Sequence, residues 1–177
     1  MYKIDILLKQ KQKLFHANDL ALLWGLKNPN TLYTTIKRYV QKGILFRIHK
    51  GFYAAVSPAE IDPVRLGIGF LHHFVYLSCE SVLAAGGIIF QAGESFTLIS
   101  NISQRFSFGE SQFLVRKMKD EFLYQPAGIA ERDEIKTATV ERAVADMLYF
   151  QPNYHFDNPS AINWVAVKKI QREVGFK

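Results

Sequence analysis

The chain has 177 residues, an apolar content of 49% and a formal net charge of +6. This length allows one domain or two small ones, and this apolar content excludes a disordered polar chain. The single cysteine, Cys79, excludes an internal disulfide, and we expect it to be a small buried apolar residue. The sequence contains neither a signal-peptide pattern at its N terminus nor about 18 uninterrupted apolar residues, so we expect a cytoplasmic protein that does not enter membranes.

Residues 1–25 predict a helix, a strand and a second helix. Apolar residues at helical spacing favour a helix over residues 3–11, and residues 14–16 favour a short strand. Asn18 is expected to cap a helix that ends at Gly25. A short polar side chain suits an N-cap, and glycine suits the left-handed residue after a helix.

Residues 28–42 predict an amphipathic helix. Asn28 suits the N-cap, and Pro29 suits the first helical position, which needs no backbone N–H group. Gly43 is expected to end the helix in the left-handed conformation. Apolar side chains recur at i, i+4, i+7 and i+8 and predict one buried stripe, formed by Leu32, Ile36, Tyr39 and Val40.

The opposite face of this helix predicts contact with DNA. It carries amide, hydroxyl, ammonium and guanidinium groups and no acid, and such groups donate to phosphates and to base edges in the major groove. A hairpin predicted over residues 44–56, with its turn at Lys50-Gly51, adds basic groups near its tip. A helix, a turn, a second helix and a basic hairpin follow one another as in a winged helix-turn-helix. The predicted DNA-binding residues are Asn28, Asn30, Thr31, Tyr33, Thr34, Lys37, Arg38, Gln41, Arg47, His49 and Lys50.

The basic residues are concentrated in the same segment. Residues 1–56 contain ten Lys/Arg and two acids, a net charge of +8, whereas residues 57–177 contain twelve Lys/Arg and fourteen acids, a net charge of −2. This asymmetry favours binding to a polyanion, which gains free energy from counterion release. An ordinary solvated helix face and a winged helix that binds an acidic protein are the alternatives.

Two prolines within residues 57–63 predict a boundary between an N-terminal domain at residues 1–57 and a C-terminal domain at residues 64–177. The C-terminal domain is predicted to mix helices and strands, so the fold class is α+β. Ser78 is expected to cap a helix over residues 76–87. Further helices are predicted at residues 64–70, at residues 140–148 after a Thr139 cap, and from residue 158; strands are predicted at residues 95–100, 104–108, 112–117, 121–124 and 134–139.

The chain resembles the AbiEi family, the antitoxins of bacterial type IV toxin–antitoxin systems. Residues 31–45 resemble the recognition helix of that family and the entry to its wing, and residues 47–53 resemble its basic wing. Residues 76–87 resemble the start of its C-terminal domain, and residues 138–146 resemble its late step from strand to helix. The resemblance covers nearly the whole chain in the same order.

The resemblance implies a transcriptional repressor that binds double-stranded operator DNA in the promoter of its own operon. It also implies a functional partner in phage defence by abortive infection, a nucleotidyltransferase toxin antagonised without a stable complex. Inverted repeats in the operator would imply two bound copies. We expect no enzymatic activity, cofactor or metal. A stand-alone winged-helix regulator of the same architecture is the alternative.

Two other motifs bear on catalysis. Asp133-Glu134-Ile-Lys136 has the E-x-K spacing of magnesium-dependent nucleases, but no earlier acid is placed to complete a metal site, so nuclease activity is the less favoured alternative. His72 and His73 cannot face one metal from a helix, and we expect one of them to be partly buried and the other exposed. Asp146 is expected to be a structural hydrogen-bond acceptor.

Overall fold

The computed structural model describes residues 3–91 and 93–176, which form eight α-helices and nine strands in two sheets. The predicted α+β class is confirmed. The chain divides into two compact units, of which the first ends at Phe70 and the second begins at Leu71. Among the described residues, no helix is both long enough and apolar enough to cross a lipid bilayer.

The first unit contains a three-stranded antiparallel sheet in which the third strand lies between the other two. Its core joins the apolar faces of the first three helices to this sheet, with Leu20 and Ile36 at its centre. The elements are α1 (Lys3–Leu8), β1 (Leu14–His16), α2 (Ala17–Trp24), α3 (Pro29–Gln41), β2 (Phe46–His49), β3 (Phe52–Ala54) and α4 (Pro63–Leu71), with a 3-10 turn at Pro58–Glu60.

Helix α2 begins earlier than its sequence predicted. Asn18 is not its cap; the helix starts at Ala17, and His16 is the N-cap residue. The Asp19 carboxylate accepts a hydrogen bond from the His16 backbone N–H at 2.7 Å, so an acid at the third helical position satisfies the cap backbone. Gly25 ends the helix in the left-handed conformation, as predicted.

Helix α3 has the predicted caps and the predicted stripe. The Asn28 side-chain oxygen accepts hydrogen bonds from the backbone N–H groups of Asn30 at 2.9 Å and Thr31 at 3.3 Å. Gly43 has a φ of +66°, and the N–H groups of Gly43 and Ile44 donate to the carbonyls of Val40 and Tyr39. This is a Schellman ending, which requires a left-handed residue and therefore favours glycine. Leu32, Ile36 and Tyr39 are buried and Val40 is half-buried.

The division between the units lies later than the predicted boundary at residues 57–63. Almost all of α4 belongs to the first unit. The His16 ring nitrogen Nε2 hydrogen-bonds the Gly69 carbonyl at 2.9 Å, and the Phe70 ring packs edge-on against Phe52. The helix approaches β1 closely at Gly69, where an added Cβ would lie 2.8 Å from Leu14 Cδ1. These long-range contacts hold α4 to the sheet of the first unit, and local composition does not reveal them.

The second unit is built on a six-stranded mixed sheet with the order β6-β7-β5-β4-β9-β8. Strand β5 runs parallel to β7 and β4 runs parallel to β9, while the other neighbours are antiparallel. Helix α7 contacts α5, α8 and β9. The elements are β4 (Val75–Leu77), α5 (Glu80–Ala85), β5 (Ser95–Ser100), β6 (Gln104–Phe108), β7 (Ser111–Lys117), α6 (Asp120–Leu123), β8 (Ile129–Arg132), β9 (Ile135–Ala138), α7 (Val140–Phe150) and α8 (Trp164–Val174), with a 3-10 turn at Pro159–Ala161.

Several predictions in the second unit are wrong. Ser78 does not cap a helix, because residues 75–77 form strand β4 and Cys79 is the N-cap of α5. Residues 121–124 were expected to form a strand, but they contribute to helix α6. The closing helix begins at Trp164 behind an Asn163 cap, with only a 3-10 turn at the predicted start. His72 and His73 are both exposed, so neither is a core histidine. Cys79 is buried, as predicted.

Gly128 stands where a side chain has no space. Its φ is +72°, and an added Cβ would lie 2.7 Å from the Cβ of Arg142 and 2.9 Å from Ile170 Cδ1. We expect Gly128→Ala to lower the free energy of unfolding by about 2–4 kcal/mol, because it combines left-handed strain with overpacking. Urea denaturation measures this. Gly93→Ala is the control, since a Cβ at Gly93 meets no atom within 4 Å; equal losses from both variants would contradict the packing argument.

Candidate nucleic-acid interface

All eleven predicted DNA-binding residues are exposed to solvent. Asn28 caps α3, and seven of the others lie along that helix on the side opposite its buried stripe. Arg47 and His49 lie on β2, and Lys50 lies in the turn that connects β2 to β3. The first unit therefore presents these groups on the outer side of one helix and on an adjacent hairpin.

Tyr53 of the hairpin packs in the same apolar core as the buried stripe of α3. This residue lies on β3 directly opposite Arg47 on β2. Burial raises the pKa of the Tyr53 hydroxyl, Arg47 opposes that rise, and Tyr33 of α3 adds to it. Arg47 and Tyr33 both act electrostatically on this hydroxyl, so α3 and the hairpin approach each other near Tyr53. Spacing along the chain does not reveal this approach.

This surface is positively charged and contains no acid. Residues 20–59 include six Lys/Arg and no Asp or Glu. Among the described residues, no carboxylate forms an ion pair with Lys37, Arg38, Arg47 or Lys50. Their charges are therefore not neutralised by any carboxylate in residues 3–91 and 93–176. Such a surface attracts a polyanion over a distance of about a Debye length.

Two of the predicted contact residues also serve the fold. The Asn28 oxygen is occupied by its cap, which leaves the amide N–H groups of that side chain to donate elsewhere. The His49 ring packs edge-on against Phe70 with 5.3 Å between ring centroids. That contact fixes the direction of the hairpin tip relative to α4. Asn28 and His49 therefore each have a structural role in the first unit and also lie on its exposed surface.

A buried polar cluster occupies the second unit. The Asp146 carboxylate accepts hydrogen bonds from Arg142 Nε at 2.8 Å, from the Ser78 hydroxyl at 2.7 Å and from the Tyr76 hydroxyl at 3.1 Å. Arg142 also donates to the backbone carbonyls of Gln125 and Ala127. All four side chains of the cluster are fully buried, and burial raises the pKa of the Tyr76 hydroxyl, which therefore stays protonated.

The cluster joins the two C-terminal motifs that carry the family resemblance. Tyr76 and Ser78 come from the first motif, and Arg142 and Asp146 come from the second. Asp146 is a structural hydrogen-bond acceptor, as expected from the sequence. The roles of Tyr76, Ser78 and Arg142 in this cluster were not predicted from the sequence. The spacing of four between Arg142 and Asp146 on a helix was the available signal.

The E-x-K motif lies on the turn between β8 and β9 and on β9 itself. Asp133 and Glu134 are exposed and both have a positive φ, and the Lys136 ammonium pairs with Glu131 at 2.9 Å. Within residues 3–91 and 93–176, no group of three or more His, Cys, Asp or Glu side chains is arranged to hold a metal ion. The structure thus brings no third ligand to this motif from the part of the chain that it describes.

No protein-family model matches the sequence, and no curated protein matches it. The chain is similar in structure to a solved protein. The crystal structure of the RV2827C protein from Mycobacterium tuberculosis aligns with a TM-score of 0.56 and 11% sequence identity, over 96% of this chain and 69% of that chain. The two proteins share a fold. At this identity the similarity shows a shared fold and nothing about function. Any function must therefore be inferred from the residues of this chain.

Proposed function

We propose that this protein binds double-stranded DNA through a winged helix-turn-helix in its first unit. Helix α3 is the recognition helix, and the hairpin of β2 and β3 is the wing. The observation that carries this proposal is the exposed basic side chains of α3 and the hairpin, which are Lys37, Arg38, Arg47 and Lys50. They lie in a segment, residues 20–59, that contains no Asp or Glu. Duplex DNA is the polyanion that a protruding helix with donors on its outer side fits best.

Binding of the wild-type chain to duplex DNA at several salt concentrations tests the proposal. The logarithm of the binding constant should fall linearly with the logarithm of salt, with a slope of about −0.9 for each phosphate neutralised. A preference for one sequence over a scrambled duplex should persist at high salt. Absence of binding to any duplex at low salt would refute the proposal. Incubation of the same duplexes with the chain and Mg²⁺ tests the nuclease alternative, which predicts that the DNA is cut.

We further propose that the protein represses its own operon and acts as the antitoxin of a type IV toxin–antitoxin system. This part of the proposal rests on the resemblance to the AbiEi family. The two C-terminal motifs of that resemblance meet in one buried cluster, in which residues 66 to 70 positions apart hydrogen-bond one another. This meeting supports the resemblance, because both motifs serve the same part of the fold.

Co-expression tests the antitoxin role. A nucleotidyltransferase encoded beside this chain should arrest growth when expressed alone and should be tolerated when this chain is present. If growth arrest persists despite expression of this chain while the promoter stays repressed, the antitoxin role is refuted. The protein would then be a stand-alone winged-helix regulator.

Asn28→Asp separates the cap from the DNA contact. Aspartate caps a helix about as well as asparagine, so the thermal midpoint should change little, whereas Asn28→Ala should lower stability by about 1 kcal/mol. The new carboxylate lies beside the acid-free face and repels phosphate. We therefore expect Asn28→Asp to weaken DNA binding by about 5-fold or more at low salt, measured by fluorescence anisotropy. Unchanged affinity would place Asn28 outside the interface.

A further inference from the structure

The exposed face of α3 is divided into a central row and two flanks. At about 100° per residue, Lys37, Asn30, Gln41 and Thr34 lie within about 60° of one another, directly opposite the buried Leu32 and Tyr39. These four side chains form the central row. Tyr33 lies about 40° beyond Lys37 on one side, and Arg38 lies about 40° beyond Thr34 on the other.

Contacts within the first unit show what each of the two flanks faces. Tyr53 of the hairpin packs in the same core as α3 and pairs with Arg47, and Tyr33 acts electrostatically on its hydroxyl, so the Tyr33 flank is on the hairpin side. The Arg38 guanidinium lies over the Tyr39 ring, 5.8 Å from its centroid, and therefore leans away from the central row. On the Arg38 flank, a shallow depression is lined by amide, hydroxyl and guanidinium groups and by no acid: Asn30, Thr31, Thr34, Thr35 and Arg38.

We infer that the central row reads bases and that the flanks hold the phosphates of the two strands. This inference rests on the proposed DNA binding and assigns roles within that interface. A helix in the major groove points its outermost side chains at the base edges, while its sides face the two sugar–phosphate walls. Arg38 in its acid-free depression suits a phosphate oxygen, and Tyr33 with Arg47 suits the opposite wall.

The chemistry of the central row indicates which bases it prefers. The Asn30 amide can bind adenine through N6 and N7, and the Lys37 ammonium can donate to guanine O6 and N7. The two residues are seven positions apart, or about 10 Å along the helix axis. Because a helix lies inclined in the major groove, this distance spans about two to three base pairs. The preferred site therefore contains an adenine and a guanine about two to three base pairs apart.

Selection from random duplexes by the full-length chain supplies the preferred sequence, and affinities are then measured on that duplex and on a scrambled one. Asn30→Ala should weaken binding to the preferred duplex about 10-fold, change the scrambled duplex less than about 2-fold, and leave the salt slope unchanged. Arg38→Ala should weaken both duplexes by the same factor and reduce the salt slope by about 0.9. Arg172→Ala in α8 removes an equivalent exposed charge from the second unit and should change neither.

The outcomes separate this inference from the proposed function. Altered base preference in Arg38→Ala, or equal loss on both duplexes in Asn30→Ala, would overturn the assignment while DNA binding stands. A preferred sequence that lacks the adenine–guanine pair would overturn the assignment of bases to Asn30 and Lys37. Failure of the wild-type chain to select or bind any duplex would refute DNA binding itself.

Discussion

Replacement of Lys37, Arg38 and Arg47 together by alanine is expected to lower affinity for duplex DNA by at least about 100-fold. Each side chain is exposed and has no acidic partner among the described residues, so the substitutions mainly remove positive charge. The one core contact that they break is that of Arg38 with the Tyr39 ring. Loss of a phosphate or base contact costs about 1–3 kcal/mol, and three such losses exceed about 3 kcal/mol. The salt slope should also fall by about 2 to 3, because fewer counterions are released.

The matched control removes the same charge from the second unit. Lys168, Lys169 and Arg172 are three exposed basic residues on α8, and their triple replacement by alanine lowers the net charge equally. Fluorescence anisotropy on one labelled duplex compares the two variants at equal salt, and circular dichroism checks that both remain folded. Equal loss of affinity in the two variants would mean that net charge rather than the surface of α3 drives binding.

The structure of α3 could be predicted because its determinants are local. The Asn28 cap, Pro29 at the first position, the apolar stripe and Gly43 act within one helix, and each has a sequence signal. Exposure of its outer face follows from the same periodicity. The packing of Tyr53 in one core with α3 could not be predicted, because it depends on the angle between the helix and the hairpin, which tertiary packing sets.

The errors in the second unit arise where tertiary contacts override local propensity. Ser78 has the chemistry of an N-cap, but its hydroxyl donates to Asp146, 68 residues later. The next residue, Cys79, has a φ of +52°, a backbone conformation that a cysteine does not favour. Residues 121–124 suit a strand by composition, yet Arg142 donates to the carbonyls of Phe122 and Gln125 and so supports the helical turn α6 and its exit. Long-range hydrogen bonds therefore determine the secondary structure around Ser78 and at residues 121–124.

Asp146→Ala is expected to lower the free energy of unfolding of the second unit by about 3–5 kcal/mol. The Arg142 and Asp146 side chains are both fully buried, with Arg142 Nε and Asp146 Oδ1 2.8 Å apart. Removal of the carboxylate leaves a guanidinium without its counter-charge in a medium of low polarity, and this is the costly way to disrupt a buried ion pair. The hydroxyls of Ser78 and Tyr76 also lose their shared acceptor.

A pair with the same spacing on the surface isolates the effect of burial. Lys169 and Glu173 are also four residues apart on a helix, but their charged groups are 3.8 Å apart and their side chains are 71% and 49% exposed. Glu173→Ala should therefore cost at most about 0.5 kcal/mol. Urea denaturation gives the loss for each variant, and hydrogen exchange shows whether protection disappears from the peptides around β4 and α7. If Asp146→Ala costs no more than Glu173→Ala, then apolar packing alone holds α7 to the sheet. A large loss confined to the second unit means that Arg142 and Asp146 join β4, α7 and the turn after α6 into one cooperative core.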